Sequence, residues 1–218
     1  MTGLLLAALF TPGPAAATAA APETVDQVVA SIGNAAITQA DVEAEYRFEL
    51  ILDGKTPASL PDHATLVAVR DRLIEQRLLG EESAAEGAAQ EDFQAKAAET
   101  LNEIRKRYGS EEAFNFALHS FGMDRPHLLA RIAQQEKVLR MVEERFRPAA
   151  WPEPAEVEAY YHDTFVPEYA RHGTGPPPAL LEVENKIKEL LIEKKIDRLL
   201  EAWLEEMKSS RRVRIHEF

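Results

Sequence analysis

Between Asp62 and Arg147 the chain carries a single proline, Pro126, placed two residues after Asp124, where the first turn of a helix tolerates it. Proline inside a helix costs about 3 kcal/mol, so this long stretch is free to run as helices, and its apolar residues recur at helical spacing. Leu66, Val69, Leu73, Ile74 and Leu78 form one stripe, which the sequence predicts to close near Gly80. Phe93, Ala97, Leu101, Ile104 and Tyr108 form a second, closed by Gly109 as a left-handed cap. Ser110 opens a short helix carrying Phe114, Phe116 and Leu118, which Gly122 ends. Leu128, Leu129, Ile132, Leu139, Val142 and Phe146 then mark a long helix that stops before Pro148.

The flanks read differently. Val28 to Ile32 and Ala35 to Ile37 are separated by Gly33-Asn34, a two-residue loop with glycine first that suits a type II′ hairpin. Pairing across it sets Ile32 opposite Ala35 and Ala30 opposite Ile37, with Val28, Ala30, Ile32, Ala35 and Ile37 on one apolar face. A lone hairpin is marginal in water. Arg212 to His216 alternates polar and apolar, and this last strand is expected to join the first two. Thr38-Gln39-Ala40-Asp41 has the shape of a capping box and opens a helix to about Leu52. Trp151-Pro152-Glu153-Pro154 is a stiff hinge before a short helix through Val157, Tyr160 and Tyr161. Arg171 to Pro178 reads as a loop, and a final helix, the longest, is expected from about Ala179 to Met207. The fold class is therefore mainly α, with a small sheet made by the N-terminal hairpin and a C-terminal strand.

Leu4 to Phe10 is an apolar run followed by Pro12, Pro14 and an alanine-rich stretch, similar to the core and cleavage region of a secretory signal peptide. It is too short to span a bilayer. Residues 1–19 are expected as signal peptide, with the mature chain beginning at Ala20 after Ala17-Thr18-Ala19. No Lys or Arg precedes the run.

The chain has no cysteine, which removes disulfide frameworks, thiolate metal sites and cysteine nucleophiles from consideration. With 25 basic and 37 acidic residues it has a net charge of −12, which argues against a nucleic-acid partner, where affinity comes from neutralising phosphates. The charge is uneven: nine acids and nine bases lie from Glu182 onward, against 28 and 16 before it. No two of the six histidines stand three to five residues apart. Glu158 and His162 share a helix face but lack further ligand partners. There is no phosphate-binding glycine loop and no nucleophile elbow. No catalytic residue, metal or cofactor is expected. The residues singled out for binding are Phe114, Phe116, Phe121 and Met123: Phe114, Leu118 and Phe121 share one side of a short helix and Phe116 the other. Such a cluster either packs between neighbours or lines an apolar groove that receives unfolded segments.

The order of elements resembles the SurA family of periplasmic chaperones. The residues that carry the likeness are Val28 to Val42, with the Asn34 hairpin leading through Ile37-Thr38 to Asp41-Val42; Arg72 to Leu79; Glu156-Val157-Glu158-Ala159-Tyr160-Tyr161; and the terminal helix with Trp203-Leu204-Glu205-Glu206 followed by the Val213 to Ile215 strand. It spans about residues 25–165 and 180–216. Trigger factor's client-binding domain looks like a more distant relative. In the SurA family a parvulin-type peptidyl-prolyl isomerase domain follows the Tyr-Tyr helix. Here only Phe165 to Ala179 fills that place, while an independent domain needs roughly 50 residues. The resemblance therefore implies a helical chaperone module over 20–165, a short linker at 166–179 in place of the isomerase, and 180–218 completing the core. It implies an ATP-independent periplasmic holdase for unfolded envelope or outer-membrane proteins, without stable membrane insertion of the mature chain. The alternatives are a peptidyl-prolyl isomerase, as many family members are, or an assembly subunit with one dedicated partner.

Overall fold

At Gly33 the chain reverses with φ of +56°, a left-handed conformation that glycine adopts without steric cost, and Asn34 does not share it, as a type II′ turn requires. The computed structural model describes residues 26–56, 61–86, 93–173 and 175–218; the leader-like segment 1–19 lies outside them. The hairpin joins β1 (Val28–Ile32) and β2 (Ala35–Thr38) in the expected register, Ile32 opposite Ala35 and Ala30 opposite Ile37. Strand β3 (Val213–Ile215) pairs antiparallel with the other side of β1, giving the order β2-β1-β3. The apolar face differs from the expectation at two places. A bulge between Val28 and Ala30 adds a residue to β1 and turns Val29 into the core in place of Val28, which is exposed. Ala35, beside the turn, is exposed as well.

Helix α1 (Gln39–Leu52) starts at a complete capping box: the Thr38 hydroxyl accepts from the Asp41 N–H at 3.2 Å, and the Asp41 carboxylate accepts from the Thr38 N–H at 3.0 Å. Helix α2 (His63–Glu86) does not stop near Gly80 but runs on past it. Leu79 and Ser83 are buried on either side, and that packing outweighs the roughly 1 kcal/mol a mid-helix glycine costs. Helices α3 (Phe93–Arg107), α4 (Glu111–Ser120) and α5 (Arg125–Phe146) follow as the sequence predicts. Ser110 caps α4 through the Ala113 N–H at 3.1 Å, and Asp124 caps α5 through the His127 N–H at 2.8 Å. Helix α6 (Pro154–Tyr160) continues through a π turn, Tyr161–Phe165, into α7 (Val166–His172), so the stretch 166–179 expected as linker is helical over its first half. Helix α8 (Leu180–Ser210) is the longest and leads into β3.

The protein is thus mainly helical, with one small antiparallel sheet, and its buried residues fall into three clusters. The first joins the sheet to the start of α1, to α2, to the C-terminal half of α5 and to α8 from Ile192 onward, around Val29, Ile37, Ile74, Met141 and Ile192. The second joins the end of α1 to α3, α4 and the first half of α5, around Phe48, Ile51, Ile104, Phe114 and Leu128. A small third cluster, Val157, Val183 and Ile187 with Tyr160, Tyr161 and Phe165, holds α6 and the π turn on the N-terminal half of α8.

Two of these helices begin on ionised carboxylates. Hydrogen bonds from Thr65 hold Asp62 below the usual carboxylate range, and bonds from the His127 backbone and ring do the same for Asp124. A lowered native pKa contributes stability that is complete above the unfolded value of about 3.9 and is lost as pH falls through the native value. Acidification below about pH 4 is therefore expected to fray the starts of α2 and α5 first. Amide exchange at Thr65 and His127 followed against pH checks this. Asp124→Asn, which keeps a capping oxygen without a titrating charge, is expected to remove the pH dependence at His127.

Candidate functional site

The four residues singled out in the sequence do not form one surface. Phe114 is 1% exposed and Phe121 7%, and both belong to the second core. The Phe114 ring centroid lies 5.5 Å from that of Tyr108, and the Arg125 guanidinium stands 5.2 Å from it. Met123 is half-buried against the same core. Phe116 is 67% exposed on the far side of α4. Helical spacing explains the split: residues 114, 117, 118 and 121 share the inward face, and 116 stands nearly opposite. Phe114 and Phe121 are packing residues of the second core, and Phe116 and Met123 are the two of the four that keep accessible surface.

An open apolar groove lies elsewhere, along the seam between the first two cores. It has a volume of about 480 Å³. Leu79 of α2 and Val138 of α5 come to it from the first core, and Leu52, Ile104 and Ile132 from the second. Leu139, expected in the core as part of the α5 stripe, is instead 59% exposed at this groove. The seam crosses α1 between Val42 and Phe48 and α5 between Ala133 and Met141, so these two helices are the beams that join the cores.

Polar groups are interspersed with the apolar lining. Gln76, Gln134 and Gln135 present amides, each with donor and acceptor capacity. Glu136, 9% exposed, is held by the Thr100 hydroxyl at 3.1 Å and the Lys96 ammonium at 2.9 Å. Arg107 closes one end, donating to the Leu52 carbonyl. Aliphatic side chains between amides suit an extended peptide, whose side chains need apolar contact and whose backbone needs hydrogen-bond partners. The lining comes from four helices distant in sequence, and glutamine on a helix carries no motif. Leu139 is visible only as one apolar residue of the α5 stripe, which the sequence assigns to the core.

At the base of the same seam sits a buried ion pair. Glu45, 2% exposed, accepts from the Arg131 guanidinium through Oε2, while its Oε1 has no hydrogen-bond partner. Arg131 lies 3.7 Å from the centroid of the Phe48 ring. Glu158 and His162 are both exposed, on α6 and the π turn. Among the described residues no group of three or more His, Asp or Glu is arranged to hold a metal ion, and no helix is long and apolar enough to cross a membrane. A scan against protein-family models found no match, and a search of curated proteins found no relative.

Proposed function

We propose that the protein is an ATP-independent periplasmic holdase, binding extended apolar segments of unfolded envelope proteins in the groove between α2, α3 and α5. The observation that carries this reading is the groove itself, with an aliphatic lining, amides among it and the exposed Leu139. Support also comes from the order of elements, in which a hairpin, a helical module, a long terminal helix and a closing strand follow one another as in the SurA-like pattern. The leader-like residues 1–19 support the location, and the net charge of −12 keeps the empty protein soluble. Weak apolar contacts of this kind suit varied clients and require no bond chemistry.

The test uses the purified chain and an unfolded outer-membrane protein, with aggregation followed by light scattering. The wild-type protein is expected to suppress aggregation near stoichiometric ratios. Leu139→Glu puts a charge into the groove at an exposed position, so folding stability should change by no more than about 0.5 kcal/mol. Client affinity should fall roughly tenfold. No suppression by the wild type, or full suppression by Leu139→Glu, overturns the assignment to this groove. The isomerase alternative predicts turnover of a proline peptide, where background only is expected. The single-partner alternative predicts one stoichiometric band in an envelope pull-down, where a spread of clients is expected.

A further inference from the structure

The helix running from α6 through the π turn into α7 carries Tyr161, Phe165 and Tyr169 four residues apart on one face. Their rings form a ladder. Tyr161 and Phe165 stack with centroids 5.7 Å apart and 20° between planes, and Phe165 and Tyr169 follow at 5.9 Å and 34°. All three are half-buried, Tyr161 and Phe165 against the third core. Tyr160 is turned to the Lys194 ammonium, 4.9 Å from its ring centroid, and takes no part. The π turn under the ladder is an uncommon element that proteins keep mostly at functional sites.

The Tyr161 end of this ladder meets the chain's own Pro178, the last of the three prolines Pro176-Pro177-Pro178. The Tyr161 hydroxyl donates to the Pro178 carbonyl at 2.9 Å, and Pro177 and Pro178 are half-buried. Three successive prolines are confined to the polyproline II region, since each ring fixes its own φ and drives the preceding residue to extended ψ. Ala179 continues it with φ −63° and ψ 151°. The arrangement has the parts by which aromatic grooves bind proline-rich ligands: flat rings for the pyrrolidine faces and a ring-borne hydroxyl for an unpaired carbonyl. Two glycines lead into the segment. Gly175, with φ of +91°, precedes it, and Gly173 has no Cβ where one would meet the Tyr169 ring at 2.6 Å.

We propose that the Tyr161, Phe165, Tyr169 ladder is a docking site for proline-rich extended segments, its Tyr161 end held in this structure by the chain's own Pro178, which makes the Pro176 to Pro178 segment a built-in competitor. The site is separate from the α2, α3 and α5 groove and does not rest on the holdase reading. An incoming segment must displace the internal one, so its apparent affinity is lowered by the fraction of time the ladder is covered.

The test uses the full chain with isotope-labelled aromatic rings, titrated with decaproline and, as control, a glycine-serine peptide of the same length. Replacing Pro176, Pro177 and Pro178 together by glycine should unseat the competitor. In that variant decaproline is expected to shift the Tyr161, Phe165 and Tyr169 resonances saturably, binding roughly tenfold more tightly than to the wild type. Adding Tyr161→Phe, which keeps the ring and loses the hydroxyl, should weaken this binding by up to roughly tenfold. Absence of saturable ring shifts in the triple-glycine variant overturns the proposal. So do equal shifts with the glycine-serine peptide, or decaproline shifts confined to residues of the other groove.

Discussion

Phe114→Ala is expected to destabilise the protein by about 3–5 kcal/mol, the range for removing a large ring from a packed core. The ring is 1% exposed, faces Tyr108 at 5.5 Å, and has Arg125 over it. Deleting it leaves a cavity bounded by α3, α4 and α5, elements held mainly by their shared packing, as the helices around it cannot collapse without moving Phe48 and Leu128. For a chain of this size the loss corresponds to a fall in Tm of roughly 10 °C. Denaturant titration against wild type measures it, and a change under about 1 kcal/mol would mean that the ring is not a core element. The contrast with Phe116→Ala is informative. That residue is 67% exposed two positions away, and its removal should leave stability within about 0.5 kcal/mol.

The second large effect is expected at the seam. Arg131→Met leaves the Glu45 carboxylate buried at 2% exposure with neither oxygen paired, since Oε1 already lacks a partner. Breaking a buried pair from one side costs about 3–5 kcal/mol. The Arg131 side chain is 35% exposed, which admits water to the site and places the expected loss at the lower end, about 3 kcal/mol. Glu45→Leu added to Arg131→Met removes the stranded charge and should recover most of the loss. The coupling between the two substitutions, read from a double-mutant cycle, then separates the charge effect from the loss of the Arg131 contact with Phe48. Additive losses would show that the two side chains act independently.

Where the chain states its structure locally, the sequence is readable. Thr38, Ser110 and Asp124 each announce a helix start by a short-range bond to the backbone, and Gly33 marks a turn only glycine takes easily. Features set by distant packing are not. The bulge that exchanges Val28 for Val29 depends on β1 being covered from both edges. The run of α2 past Gly80 depends on the burial of Leu79 and Ser83. The same holds for the aromatic cluster: aromatic density on α4 is visible in the sequence, but which ring faces inward depends on where α3 and α5 stand. The groove is not legible in the sequence, since a lining drawn from α1, α2, α3 and α5 has no sequence signature.

The pairing of Ile32 with Val213 means that β1 finds its second neighbour across a separation of about 180 residues. A polypeptide delivered N-terminus first would carry an uncovered strand edge, and the apolar residues behind it, until β3 emerged. Closure is then a late event of long sequence separation, which slows folding. On the proposed holdase reading, the protein would itself pass through the condition in which it meets its clients.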